Sequence, residues 1–339
     1  MTGATSSEGP AFALNPRVRG TRPKSLSGGV VGLDIGATKI LAGLADRSGG
    51  ILAKTRVSTE VANQQALVEE IETVIDGIAK DVRAIGIGVP GSVLPDGTIT
   101  VINIPLEGVR LAEHLSARFQ VPVAVENDAD TAALAEHRFG AARGTQTAIV
   151  LTLGTGVGSG LILGGRLFRG GLGSVSELGH MTIDYQGPRC YGACRGNGHV
   201  ESYVSGTAIA EAAVAQAQAN PDGDLGQAAA AGTKLTAETT LHLAKKGGGD
   251  ARALLRRVGR LLGIALASYI NIFGPEVIVL GGGVSAAGEH LIEPAREAAR
   301  LHAQEPGASQ TRIVRATLGN EAGMIGAVAR GLELLGESS

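Results

Sequence analysis

The chain alternates short apolar runs with longer segments of helical periodicity. VVGLDIGATKILAGLAD (30–46) predicts two strands joined by a glycine-containing turn, and ILAKTRVST (51–59) predicts a third strand. Three predicted helices follow, at 63–80, 111–120 and 128–140. Two predicted strands lie between them, at 84–93 and 121–128. Strands that alternate with helices indicate an α/β fold.

The pattern restarts in the middle of the chain. AIVLTLGTGVGSGLILGG (148–165) repeats the order of 30–46: apolar strand, polar glycine turn, apolar strand. Asp34 to Thr38 fall opposite Thr152 to Gly156 in this comparison. Either the two are unrelated glycine-rich hairpins, or the architecture is duplicated, with two related α/β domains facing each other across a cleft.

The second half then becomes mostly helical. A loop-like region (177–206) precedes helices at 207–219 and 235–245, with a polar, Gly/Ala-rich insert between them. KKGGGD (245–250) is read as a flexible break. The remaining predicted elements are helices at 251–272, 286–303 and 321–335 and strands at 276–283 and 311–319.

Length and composition narrow the functional class. A chain of 339 residues favours two domains, and 44% hydrophobic with 18% charged residues is typical of globular proteins. A net charge of -2 gives no basic footprint for nucleic acid, and no apolar stretch is long enough to span a membrane. Residues 1–28 lack the apolar core of a secretory signal and predict a disordered tail. Two cysteines without an export signal indicate the cytoplasm.

Three glycine-rich turns could hold phosphate groups. They are DIGATK (34–39), LGTGVGSG (153–160) and VLGGGVS (279–285). Glycine lets successive backbone N–H groups approach phosphate oxygens closely. Each alone is equally well a plain turn, but together they favour a nucleotide held between two domains. Asp34 adds a carboxylate suited to Mg²⁺.

The strand VAVEND (123–128) ends in polar residues, where ligands of α/β sheets tend to bind. Asp128 could accept a proton from a substrate hydroxyl that attacks a γ-phosphoryl group. Equally, Asp128 could cap the helix that begins near Ala129, because Asp is a favoured N-cap residue. The residues alone leave both roles open.

From about Gly29 to Gly331 the chain resembles the ROK family (repressor, open reading frame, kinase), sugar kinases of the actin-like ATPase superfamily. The strongest stretch is LTLGTGVGSGLILGGRLFRGGLGSVSELGHMTID (151–184), which is similar to the family signature. DIGATK, GVPG (88–91), END, LGGGVS and LGNEAGMIGA (318–327) follow in the family's order and spacing. The resemblance implies two actin-like ATPase (ribonuclease H-like) domains: a small one at 29–136 and a large one at 137–320, with the last helix, 321–335, packing back on the small domain.

The resemblance also implies roles for individual residues. Asp128 would be the general base, and the sugar hydroxyls would be bound by Asn127, Asp128, Glu177, His180, Glu201 and, with a weaker match, Asn103. ATP and Mg²⁺ would be held by Asp34, Gly36, Thr38, Lys39, Gly154, Thr155, Gly156, Gly281, Gly282 and Gly283. Such kinases are expected to form dimers or tetramers.

Both cysteines lie in GPRCYGACRGNGHVE (187–201), where ROK kinases typically bind zinc through one His and three Cys in a C-x-C-G-x-x-G-C-x-E run. Here three residues rather than one separate Cys190 from Cys194, and His199 stands at the third cysteine position. Zinc accepts imidazole as well as thiolate, so the expected ligands are His180, Cys190, Cys194 and His199, in a structural zinc loop at 180–201. A metal-free loop is the alternative, and the C-x3-C spacing disfavours a redox pair.

These features predict a cytoplasmic, ATP-dependent hexose kinase, with glucose as the expected substrate. Mannose, fructose or an N-acetylhexosamine is the alternative acceptor, and polyphosphate the alternative donor. Arg166 and Arg169 lie near the second hairpin, but two arginines are too few to predict a groove for a long anion. A sugar-sensing ROK regulator is the alternative outside enzymes.

Overall fold

The structure, a computed structural model, describes residues 28–59, 63–101, 103–173 and 176–336. The predicted tail at 1–28 lies outside the described residues, apart from Gly28. The first half of the chain folds as β1 (Gly29–Ile35), β2 (Lys39–Ala45), β3 (Ile51–Ser58), α1 (Gln64–Ile78), β4 (Val82–Val89), β5 (Ser92–Val93), β6 (Ile99–Thr100), α2 (Leu111–Phe119), β7 (Val123–Asn127) and α3 (Asp128–Phe139).

The second half carries most of the helices. Its elements are β8 (Ala148–Leu153), β9 (Val157–Leu163), β10 (Arg166–Leu167), α4 (Glu201–Val204), α5 (Gly206–Ala219), α6 (Asp224–Ala230), α7 (Ala237–Lys245), α8 (Gly249–Phe273), β11 (Val277–Gly281), α9 (Glu289–His302), α10 (Gly307–Gln310), β12 (Arg312–Arg315) and α11 (Ala322–Leu334). Short 3₁₀ turns at 178–180, 283–287 and 319–321 join some of them.

Two five-stranded sheets share one topology. The first has the order β3-β2-β1-β4-β7 and the second the order β10-β9-β8-β11-β12. The central strand of each sheet is β1 or β8. On one side it is followed by two strands in antiparallel pairing, β2 and β3 or β9 and β10. On its other side are two strands in parallel pairing, β4 and β7 or β11 and β12. The repeat predicted from two hairpins therefore extends to whole sheets, which confirms the duplicated α/β architecture.

Helices α3 and α11 form a layer between the two sheets. α11 lies on β1 and β4 so closely that a Cβ at Gly86 would overlap the carbonyl oxygen of Ala327. In the same helix, Gly326 lies against the carbonyl oxygen of Thr131 in α3. Glycine at these positions lets the helix backbones pack directly on the neighbouring elements.

Helix α3 in turn lies on β9 of the second sheet. A Cβ added at Gly158 would come 2.9 Å from the Cβ of Ala129, and one at Gly160 would come 2.5 Å from the Cβ of Ala133. Asp128, the first residue of α3, is therefore held at the boundary between the two halves of the chain.

Several elements differ from the prediction. The polar insert between 219 and 235 contains α6, which packs on α5 and α8. Residues 246–248 are a short turn between α7 and α8 rather than a longer break. The hairpin of β5 and β6 and the short strand β10 were not predicted. In the described part of the chain, no helix combines the length and the apolar character needed to cross a bilayer.

Candidate active site

Three parallel strands end at the same edge of the first sheet. In the register of that sheet, Asp34 of β1 is level with Gly88 of β4, and Val89 of β4 is level with Asn127 of β7. Because β1, β4 and β7 run parallel, Asp34 and the Asn127–Asp128 pair meet at one edge. This edge faces the second half of the chain.

Asn127, not Asp128, caps helix α3. Its Oδ1 accepts hydrogen bonds from the backbone N–H of Ala129 at 2.8 Å and of Asp130 at 3.3 Å, while its Nδ2 donates to the carbonyl oxygen of Gly91 at 2.9 Å. The interpretation of Asp128 as the N-cap is therefore wrong. Asp128 begins the helix itself, which leaves its carboxylate available for another role.

The carboxyl of Asp128 has a pKa close to neutral pH. Burial raises its pKa to about 6, helped by the negative charge of Asp34 nearby. Burial also raises the pKa of Asp34, with Lys39 opposing this effect. A carboxylate whose pKa lies near the working pH is suited to proton transfer.

A cavity between the two halves contains Asp128. Ser92, Asn127 and Asp128 contribute to it from the first half, and Ser159 and Glu177 from the second. Its other lining residues are Val93, Asp130, Gly158, Gly173 and Ser176. Among the predicted sugar-binding residues, the structure thus brings Asn127, Asp128 and Glu177 together.

The remaining predicted sugar-binding residues do not line this cavity. Asn103 is exposed in the segment after β6. His180 is adjacent, because its Nε2 lies 3.9 Å from Glu177 Oε2. Glu201 lies under the second glycine turn, where its Oε2 accepts a hydrogen bond from the backbone N–H of Val157 at 2.7 Å.

Four polar residues of the cavity were not among the predicted site residues: Ser92, Asp130, Ser159 and Ser176. Asp130 lies two residues after Asp128, and this position just after the polar end of a strand could have indicated a site residue. Ser92 follows the Pro-Gly turn after β4, which was a weaker signal of the same kind. Ser159 lies in β9, within the glycine-rich stretch 153–160 that was predicted to hold phosphate groups, but it was not itself named as a site residue.

Asp130 is a buried acid beside a strong ion-pair cluster. Its Oδ1 has no hydrogen-bond partner in the described part of the chain. Burial, followed by repulsion from Glu126, raises the pKa of Asp130 to about 8. Glu126 itself is held by Arg169 at 2.6 Å and Arg330 at 2.7 Å.

The predicted glycine turns occupy matching positions in the two sheets. Gly36 closes the β1–β2 turn by donating to the carbonyl oxygen of Lys39 at 2.8 Å, and Gly154 closes the β8–β9 turn by donating to that of Gly156 at 2.9 Å. Gly282, after β11, has a φ of +76° and lies against the backbone of Leu153. The second and third turns are therefore neighbours.

Other residues of the nucleotide prediction flank these turns. Thr38 accepts a backbone hydrogen bond from Thr59 at 3.1 Å. Thr155 accepts one from the hydroxyl of Thr207 at 2.9 Å. Gly281 pairs with Thr152 at the end of β11, and Gly283 begins the 3₁₀ turn that follows.

The loop at 177–206 brings its two cysteines and two histidines together. The four side chains of His180, Cys190, Cys194 and His199 offer ligand atoms that all lie within 4.8 Å of one another. The two histidine Nδ1 atoms are 3.3 Å apart, and each lies 3.5 Å from a cysteine Sγ. This arrangement can hold a metal ion.

This cluster touches the cavity and the second glycine turn. Through Nε2, His180 faces Glu177, while its Nδ1 faces the cluster. Glu201 Oε1 lies 3.8 Å from Cys190 Sγ, and its Oε2 packs against Gly156. The cluster therefore supports residues on both sides of the candidate active site.

Comparison with known proteins gives a consistent answer. Residues 30–331 match the model of the ROK family. The chain is 34% identical to a glucokinase of Streptomyces coelicolor over 305 residues, which cover 88% of this chain and 95% of that protein. It is 32% identical to the DNA-binding transcriptional dual regulator NagC of Escherichia coli, over 88% of this chain and 74% of that protein.

The fold agrees with these sequence matches. The crystal structure of a ROK family glucokinase from Streptomyces griseus, in complex with glucose and AMPPNP, superposes with a TM-score of 0.75 at 33% identity. The match covers 90% of this chain and all of that one. On the extent of the family match and the shared fold, this chain belongs to the ROK family.

Proposed function

We propose that the chain is a glucokinase, which transfers the γ-phosphoryl group of ATP to the 6-hydroxyl of glucose. The observation that carries the proposal is the buried carboxyl of Asp128, whose pKa is about 6, at a cavity between the two halves. The glucokinase relatives support the choice of glucose and ATP. Another hexose, such as mannose, remains the alternative acceptor.

Asp128 acts as the general base. It accepts the proton of the sugar 6-hydroxyl while that oxygen forms a bond to the γ-phosphorus, and the bond from this phosphorus to the β-γ bridging oxygen breaks. ADP leaves with the electron pair, and glucose 6-phosphate and a protonated Asp128 remain. Phosphoryl transfer needs mainly such positioning and charge stabilisation.

The sugar is held by residues at the cavity and beside it. Asn127 keeps one Nδ2 hydrogen for a sugar hydroxyl, since the other donates to Gly91. Glu177, whose side chain is 59% exposed, and His180 approach from the second half. Glu201 and Asn103 complete the proposed set, and both would have to reach the sugar when the two halves close on it.

ATP and Mg²⁺ bind along the glycine turns. The backbone of the three turns, at 36–39, 154–156 and 281–283, borders the phosphates, with Lys39 adding a positive charge. Asp34 contributes a carboxylate for Mg²⁺ or its bound water, a role that suits its place beside Lys39 and Asp128. Mg²⁺ would neutralise charge that develops on the phosphoryl oxygens.

The His/Cys cluster binds a structural zinc ion. Zn–N bonds of about 2.0–2.1 Å and Zn–S bonds of about 2.3 Å place the ligands of a tetrahedron roughly 3.3–3.8 Å apart. Three of the six separations, 3.3 Å between the histidine nitrogens and 3.5 Å in two sulfur–nitrogen pairs, fall in this range, and all six are within 4.8 Å. With Nδ1 on zinc, the ring of His180 would be fixed and its Nε2 would stay free for the sugar.

The proposal is tested by Asp128→Asn together with a panel of hexoses. Asp128→Asn should lower kcat with glucose and ATP by roughly 10²–10⁴-fold, since it removes the base and keeps the shape. Asp222→Asn, at an exposed position, is the matched control and should keep full activity. Near-normal turnover of Asp128→Asn, or a preference for another hexose or for polyphosphate over ATP, would overturn the corresponding part of the assignment.

A further inference from the structure

A second concave site lies at the far end of α3. It is a cleft of about 770 Å³ lined by the last turns of α3, the 143–146 segment, β10 and α11. Asp128 and the glycine turns do not contribute to it. Arg138 lies ten positions after Asp128 in α3, or about 15 Å along a helix at 1.5 Å per residue. The cleft is therefore distinct from the candidate active site.

Five arginines line this cleft: Arg138, Arg143, Arg166, Arg169 and Arg330. Glu333 is the one carboxylate among its described lining residues, and it pairs with Arg330 at 2.9 Å. Glu126 neutralises further charge by pairing with Arg169 and Arg330. These two carboxylates pair with Arg169 and Arg330 only, so they do not balance the positive charge of Arg143 and Arg166.

Two of the arginines are uncommitted. Arg143 and Arg166 are exposed, and within the described residues their guanidinium groups have no hydrogen-bond or ion-pair partner. Arg143 lies three residues before Gln146, and Arg166 directly follows Gly165. Gln146 and Gly165 also line the cleft, and the N–H of Gly165 donates a hydrogen bond of 2.9 Å to the carbonyl oxygen of Gln146. The fold therefore brings together cations that are distant in sequence.

We propose that this arginine cleft binds a small anion that carries phosphoryl groups. Guanidinium groups present paired N–H donors that match phosphate oxygens. The volume lies in the range of about 300–1,000 Å³ found for small-molecule sites, which favours a compact ligand. A single carboxylate would not balance the excess charge, whereas a phosphomonoester or a short phosphate chain would.

Two arginines connect the cleft to the active site. Arg169 and Arg330 line the cleft and also hold Glu126, which lies two residues before Asp128 on β7. Arg169 further belongs to the loop that leads to Gly173 in the active-site cavity. An anion in the cleft would interact with Arg169 and Arg330, which also bind Glu126 on β7, the strand that leads to Asp128.

The test is equilibrium dialysis with two radiolabelled probes, tripolyphosphate and glucose 6-phosphate. Both are measured with saturating glucose, AMPPNP and Mg²⁺, so that the active site is occupied. Arg143→Gln/Arg166→Gln should weaken binding by roughly 10- to 100-fold, since charge-assisted hydrogen bonds are lost. The control, Arg256→Gln/Arg257→Gln, removes two exposed charges from α8, outside the cleft, and should bind as the unaltered chain does.

One site per chain with this pattern supports the proposal, and the probe that binds more tightly identifies the ligand as a phosphate chain or a sugar phosphate. Absence of binding by either probe overturns it. So do equal affinities in the two double variants, or equal binding of sulfate. Because the two variants are compared directly, the result stands even if the chain proves not to be a glucokinase. Thermal unfolding of both variants should be unchanged, because neither removes a side-chain contact.

Discussion

The Nδ1 atoms of His180 and His199 lie 3.3 Å apart, each 3.5 Å from a cysteine sulfur. If the cluster binds zinc, His199→Gln should lose the metal and lower stability, while His199→Cys should retain it, because a thiolate is an equally good zinc ligand. Elemental analysis of the purified variants measures zinc per chain, and thermal unfolding measures the loss. Structural zinc contributes directly to the free energy of folding.

His302, exposed in the last turn of α9, supplies the matched control. His302→Gln should keep one zinc per chain. If His199→Gln kept its zinc as well, His199 would not be a ligand.

The duplicated sheets were predictable because the local signals were strong and repeated. Both hairpins combine apolar strands with a glycine turn, and each is followed further along by buried parallel strands. Helix α6 was missed because Asp224–Ala230 consists mainly of small and polar residues, with Leu225 as its one large apolar side chain. It forms because its neighbours α5 and α8 cover it, which is a tertiary effect.

The sequence could not separate the roles of Asn127 and Asp128. Both residue types are favoured N-caps, and a shift of the helix start by one residue exchanges them. The arginine cleft was equally out of reach, since Arg143, Arg166 and Arg330 come together only in the folded chain. Long-range juxtaposition of exposed residues leaves no periodic pattern in the sequence.

The pH dependence of catalysis should report the ionisation of Asp128. Its pKa of about 6 means that the carboxylate, the form needed by a general base, predominates above pH 6. We expect kcat/KM to fall as the pH drops through about 6 and to level off above it. The charge of Asp34 helps to raise this pKa, so Asp34→Asn should move the midpoint to lower pH, whatever it does to the rate.

Binding of AMPPNP over the same pH range separates ionisation of the nucleotide from that of the enzyme. A flat profile between pH 5 and 7 would contradict the role of Asp128. An unchanged midpoint in Asp34→Asn would contradict the coupling of the two carboxyls.

Asp130 should make the protein less stable as the pH rises. Its pKa is raised from its ordinary value of about 3.9 to about 8 in the folded state, so the folded chain holds this proton more tightly than the unfolded chain. The free energy of unfolding should therefore decline between about pH 4 and pH 8. Asp130→Asn, which mimics the neutral acid, should flatten this dependence.

The measurement is urea unfolding at several pH values. Asp222→Asn, at an exposed position, is the control and should keep the slope of the unaltered chain. Equal slopes for Asp130→Asn and the unaltered chain would show that Asp130 is ionised in the folded state.

The α3–α11 contact should tolerate no side chain at Gly326. A Cβ there would overlap the carbonyl oxygen of Thr131, and both groups belong to helix backbones that cannot move independently of the sheets they cover. Gly326→Ala should therefore lower the free energy of unfolding by about 1–3 kcal/mol, the usual cost of overpacking.

Gly77→Ala is the opposite case, because Gly77 lies in α1 with nothing within 4 Å of an added Cβ. It should stabilise the chain by about 0.5–1 kcal/mol, as expected for Ala over Gly in a helix. Urea unfolding of the two variants measures both effects, and a stable Gly326→Ala variant would mean that the two helices are not packed backbone to backbone between the sheets.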